Sequence, residues 1–105
     1  MATIAEIVRN GRGRAGSHGA WQVTEVPLTE GAGRVYQDWR LWHYTTLMLQ
    51  WTRRPCGKAD VIFFSLGRRT VSDQQGMNAA FRALGLPFYY ARDRAGGGPR
   101  IEPRP

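Results

Sequence analysis

The sequence predicts an α+β fold: an antiparallel sheet of three to four strands with one main packed helix, in the order α-β-β-β-α-β. Three observations carry this. Alternating stretches over 20–28 and 35–52, and the continuous apolar run Val61-Ile62-Phe63-Phe64 within 60–66, read as strands. One segment, Asp73 to Leu84, has helical spacing with a start and a stop signal. And 105 residues, 42% hydrophobic with four each of Trp, Tyr and Phe, suffice for one core without staples.

Taken in order, residues 3 to 10 read as a short helix. Thr3 caps it, Glu6 completes a capping box, Ile4, Ile7 and Val8 share a face, and Gly11 stops it. Gly11 to Gly19 reads as a flexible loop carrying Arg12 and Arg14, so that residues 1–19 form a helix plus loop ahead of a core at 20–92. In the first strand Trp21, Val23 and Glu25 alternate with Gln22, Thr24 and Val26, and Pro27 ends it. Thr29 to Gly33 is a turn. The next β-prone stretch runs eighteen residues, 35–52, which exceeds an ordinary strand and predicts a bulge or a break into two pieces. Its odd positions, among them Trp39, Leu41, His43, Leu47, Leu49 and Trp51, are the more apolar and are expected on the core. Its even positions, Tyr36, Arg40, Trp42, Tyr44 and Met48 among them, are expected to face away. Arg53 to Lys58 turns the chain into the strand Asp60 to Leu66.

The main helix is expected to be capped by Ser72 with Gln75 three residues on, and Met77, Ala80, Phe81 and Leu84 form its apolar stripe. Gly85 supplies a left-handed terminus, Leu86 the contact after it, and Pro87 prevents continuation. Gly76 inside this helix costs about 1 kcal/mol relative to alanine, which close backbone packing would explain. Phe88 to Arg92 is a last strand. Residues 93–105, rich in Gly and Pro, are expected to be a tail, the alternative being a short edge strand around Ile101.

The charge balance bounds function. Fifteen basic residues face eight acidic ones, a formal +7, and all but Lys58 of the fifteen are arginine. Arginine suits bidentate recognition of phosphate and carboxylate, although GC-rich coding would also favour it over lysine. One cysteine, Cys56, excludes a disulfide framework within the chain and fits a reducing interior. With no long apolar run and no signal-like start, the expected place is the cytoplasm of a host cell, with no membrane partner.

Two histidines and one cysteine make no zinc spacing, and no Ser-His-Asp or phosphate-loop pattern is readable, so neither catalysis nor a cofactor is expected. His43 falls on the inward face and is expected to be buried and hydrogen-bonded. Cys56, between Arg54 and Lys58 on a turn, reads as an incidental surface thiol. Arg12, Arg14, Arg40, Arg53, Arg54, Arg68 and Arg69 are the candidate phosphate contacts, though Arg53-Arg54 and Arg68-Arg69 should lie at opposite ends of a hairpin. Tyr36, Trp42, Tyr44 and Met48, with Arg40 among them, form an outward face that could stack nucleotide bases. It could equally bury against a second subunit, a host protein or another part of this chain.

His43-Tyr44-Thr45-Thr46, Gly67-Arg68-Arg69-Thr70-Val71-Ser72 and Met77-Asn78 give a further lead. Their order resembles small proteins of tailed phages, especially phages of actinobacteria. These often carry a His-Tyr-x-Thr strand, a Gly-Trp-Arg-Thr-like segment and a helix with Met-Asn. Arg68 stands where those proteins have tryptophan, and the likeness spans roughly residues 40 to 92. The resemblance implies a phage or prophage setting and no particular activity. The expected function is a basic phage-type accessory protein that binds nucleic acid without catalysis. The alternative is a protein-binding effector or assembly component, with a homodimer among the possible associations.

Overall fold

The computed structural model describes residues 2–27, 37–68, 70–93 and 98–104. Helix α1 (Ile4–Asn10) starts at Thr3, whose hydroxyl accepts from the Glu6 N–H, and ends at Gly11 in the left-handed region. Ile7 and Val8 are buried beneath it. The Gly11 to Gly19 stretch is more ordered than a flexible loop. Gly13–Ala15 forms strand β1, paired with β2 (Trp21–Val26), and Ser17–Gly19 makes a turn of 3₁₀ helix. Ala15, fully buried, anchors β1, which glycine-rich composition alone did not signal.

The expected long strand is broken. β3 (Asp38–His43) and β4 (Thr46–Arg53) are joined by the two-residue turn Tyr44-Thr45, and Tyr44 adopts φ +54° there. β5 (Ala59–Phe64) follows. The sheet is a five-stranded antiparallel meander in the order β1-β2-β3-β4-β5, not three to four strands. Two extra strands come from places read as loop and as one long strand.

A bulge corrects the facing of β4. Leu41 pairs with Leu49 but Trp42 pairs with Leu47, so Met48 is inserted without a partner opposite it. Met48, expected to face outward, is therefore fully buried beside Leu49, and Leu47, expected inside, shares the outward face with Trp42. The two-residue turn pairs His43 with Thr46 and so reverses the parity at Leu47 and Met48, and the inserted residue restores it at Leu49.

Both helices pack on the other face of the sheet. Helix α2 (Val71–Ala83) buries Met77, Ala80 and Phe81 against Trp21, Leu41, Leu49, Trp51 and α1. Its cap is Thr70 rather than Ser72: Thr70 Oγ1 accepts from the Asp73 N–H at 3.1 Å while Asp73 Oδ2 accepts from the Thr70 N–H at 3.1 Å. At the other end the Leu86 N–H reaches Phe81 O and the Gly85 N–H reaches Arg82 O, with Gly85 at φ +68°, the terminus expected from Gly-Leu-Pro. Gly76 is required by packing: a Cβ there would lie 2.0 Å from the Trp21 ring.

Residues 98–103 are strand β7, paired with β6 (Phe88–Asp93), so the expected tail is the outer strand of a second, two-stranded sheet. Its prolines are tolerated for a specific reason. Tyr90 gives its N–H to Asn78 Oδ1 (2.7 Å) and receives Asn78 Nδ2 on its C=O (3.1 Å), so its polar groups point away from β7. The pair Tyr90–Ile101 is then a non-hydrogen-bonded one, and Phe88–Pro103 and Arg92–Pro99 share its parity. Neither proline loses a ladder bond.

Candidate functional site

Two regions carry functional side chains. The first is the sheet face away from the helices. Directly paired residues share a face, so register builds it: Arg14, Gln22, Trp42 and Leu47 form one row, and Thr24, Arg40, Gln50 and Phe63 the next. Every residue of these two rows is half-buried or exposed, in contrast to Val23, Leu41, Leu49 and Trp51 on the opposite face, which are buried. The Trp42 indole is oriented by its N–H, which donates to Thr24 Oγ1 at 3.0 Å. Arg40 donates to Gln50 Oε1 at 3.1 Å, and Gln50 in turn donates to Asp38 Oδ2 at 3.2 Å. A third row, Val26, Asp38 and Thr52, closes this face at its far end, where Val26 and Asp38 are buried.

The second region lies at the β3–β4 turn, where His43 meets the start of α2. Asp73, 3% exposed, is anchored through Oδ2 by the N–H groups of Arg68 (3.0 Å) and Thr70 and by the Thr70 hydroxyl (3.0 Å). Its Oδ1 lies 2.7 Å from His43 Nδ1. Burial pushes the Asp73 carboxyl up, but the hydrogen bonds from His43 and Thr70 outweigh it and hold the group below the usual carboxylate range. His43 is clamped flat: its ring stacks on Trp21 at 4.1 Å and 5°, and on Tyr44 at 4.9 Å and 29°. Its other nitrogen, Nε2, is 3.5 Å from Ser72 Oγ. A cavity of about 250 Å³ opens here between Tyr44, Thr45 and Thr46 on the turn and Arg68, Thr70 and Asp73 at the helix entry. Gly67 makes the close approach possible: at φ +62°, a Cβ would sit 2.9 Å from Asp73 and from the Met48 methyl.

No protein-family model, curated protein or solved structure matches the chain.

Geometry therefore sorts the expected residues. Arg14, Arg40 and Trp42 come together on the open sheet face. Tyr44 sits on the turn beside it, 69% exposed. Met48 leaves that set for the core. Arg53 and Arg54 lie at the distant β4–β5 turn, where Arg53 donates to Gly57 O and Arg54 pairs with Asp60 at 2.5 Å. Arg12 is exposed ahead of β1, and Arg68 lines the cavity. Tyr36 and Arg69 lie outside the described residues. Cys56 is exposed on its turn. Among the described residues no cluster of His, Cys, Asp and Glu could hold a metal ion, and no helix is long and apolar enough to cross a membrane.

Sequence reading missed two features. Ser72, His43 and Asp73 converge although no recognisable spacing links them; only the inward parity of His43 pointed that way. And Ile62, Phe63 and Phe64, an apolar run read as a strand of the sheet, lie on edge strand β5 at 55%, 44% and 47% exposure.

Proposed function

We propose that this is a small basic accessory protein of a phage or prophage that binds single-stranded nucleic acid, without chemistry, on the open face of its five-stranded sheet. The observation that carries this reading is the placement of Arg14, Trp42, Arg40 and Phe63 in two adjacent rows of the sheet face that lies away from both described helices. Bases stack on aromatic rings whatever their identity, while arginines beside the rings hold phosphate. The formal charge of +7 adds a favourable field for a polyanion. The phage setting rests on the resemblance of residues 40 to 92 described above.

The test is fluorescence anisotropy with a labelled single-stranded oligonucleotide. Trp42→Ala should weaken binding roughly 5- to 150-fold, the equivalent of one lost stacking contact of ~1–3 kcal/mol. Binding indifferent to this change would remove the open face from the argument.

The exposed Ile62-Phe63-Phe64 run favours a second reading, a protein partner, because edge strands with apolar side chains are templates for pairing. A pull-down from host lysate with and without nuclease separates the two: a partner retained after nuclease supports the second reading, and its loss supports the first.

A further inference from the structure

We propose that Ser72, His43 and Asp73 act as nucleophile, general base and orienting carboxylate in the hydrolysis of small carboxylic esters. This site is separate from the open sheet face, and its chemistry does not depend on nucleic-acid binding. Asp73 Oδ1 can only accept from the ring nitrogen 2.7 Å away, so Nδ1 carries the hydrogen. With Nδ1 as the donor to Asp73, Nε2 is the nitrogen left to accept from the Ser72 hydroxyl, 3.5 Å away. That separation is loose for a hydrogen bond and within what ligand-free nucleophile–base pairs show. Asp73 is fixed by three donors on its other oxygen, and the His43 ring stacks on both Trp21 and Tyr44. Base and orienter are therefore set before any substrate arrives, which is the part of such a relay that a protein must build.

In the reaction, Ser72 Oγ attacks the ester carbonyl carbon as its proton passes to His43 Nε2. The tetrahedral intermediate breaks its C–O bond to the alcohol, which leaves with the proton from Nε2. Water, losing a proton to Nε2, then adds to the acyl carbonyl carbon, and the C–O bond to Ser72 Oγ breaks as Nε2 returns that proton to Oγ, releasing the carboxylic acid and restoring Ser72. Of the four first-turn N–H groups of α2, those of Thr70 and Asp73 are used by the capping box. Those of Val71 and Ser72 are the donors available to the oxyanion. Ser72 itself is exposed and does not line the neighbouring cavity of about 250 Å³, which reaches the relay through His43 and Asp73. With Thr45, Thr46, Thr70 and Arg68 along it, that cavity favours a short polar or anionic acyl group over a fatty chain.

The experiment uses the full chain, a fluorophosphonate probe with the labelled residue mapped by mass spectrometry, and p-nitrophenyl acetate as substrate. The expected result is a single adduct on Ser72, with hydrolysis lost in Ser72→Ala while its thermal unfolding stays that of the parent. His43→Ala should slow labelling by roughly 100-fold or more, the scale of general-base assistance, and added imidazole should restore it. An unlabelled Ser72, or equal ester hydrolysis by the parent and Ser72→Ala, overturns the proposal. If His43→Ala does not fold, Ser72→Ala still decides it, because Ser72 is exposed. A purely structural His43–Asp73 pair would leave Ser72 unreactive.

Discussion

Gly76 holds more than its own position. Because it lacks a Cβ, the Trp21 ring lies against the α2 backbone, and that same ring stacks on His43, which Asp73 then orients. Gly76→Ala would gain about 1 kcal/mol in an exposed helix. Here the added methyl must displace Trp21, and we expect a net loss of about 1–3 kcal/mol in urea unfolding. Asp73 gives the same region a pH signature. Its folded-state pKa is depressed, so its contribution to stability is complete above the ordinary carboxylate pKa. It is lost as pH falls through the folded value. Asp73→Asn should cost about 1.5–3 kcal/mol at neutral pH, as for a buried charge-assisted hydrogen bond, and should flatten the acid side of the stability curve; an unchanged acid limb would exclude this role. Gly76 was legible in the sequence because a glycine inside a strong helix pattern demands a packing reason. The cap was not. Ser72 with Gln75 and Thr70 with Asp73 are overlapping signals, and the second prevails because Asp73 is recruited by His43, thirty residues away, a contact no local pattern contains.

At the scale of elements, the helices and their stops follow directly from local chemistry: the Thr3 cap, the Met77–Phe81 stripe and the Gly85-Leu86-Pro87 terminus all stand where spacing places them. Strand facing was less readable. The alternation in 35–52 is correct through β3, then the turn at Tyr44 and the bulge at Met48 exchange the roles of Leu47 and Met48. Apolar side chains occupy both parities there, so nothing in the residues marks the slip. Met48→Ala tests the corrected facing: a fully buried methionine should cost about 2–5 kcal/mol, which an outward residue would not. Strand β7 was obscured for a different reason. Its prolines argue against a strand until the pairing parity is known, and that parity depends on Asn78 binding the opposite edge of β6.

At the scale of the whole molecule, the candidate arginines among the described residues are spread rather than gathered. Arg14 and Arg40 are on the open face, Arg68 is at the cavity, and Arg53 and Arg54 are at the opposite end of the sheet. The proposed binding mode therefore predicts unequal contributions to salt dependence. For a single strand, each phosphate contact contributes about −0.7 to the slope of log affinity against log salt. Arg14→Ala should make the slope shallower by about that amount, whereas Arg53→Ala should leave it unchanged. Trp42→Ala should reduce affinity at every salt concentration with the slope preserved, since stacking releases no counterions. Equal effects of Arg14→Ala and Arg53→Ala would mean that polyanions see only the net +7.

The Asn78 bridge to Tyr90 also fixes an order of assembly. Strands β1 to β5 pair only with sequence neighbours, so that sheet can form while the chain is still being made. Helix α2 can dock on it next. But Asn78 finds the backbone it binds, and Phe81 its edge-on contact with Phe88, only once the last hairpin has emerged. The β6–β7 hairpin is thus a latch that closes on α2 after the sheet it docks on, and without Phe88 and Tyr90 the back of α2 would lose these contacts.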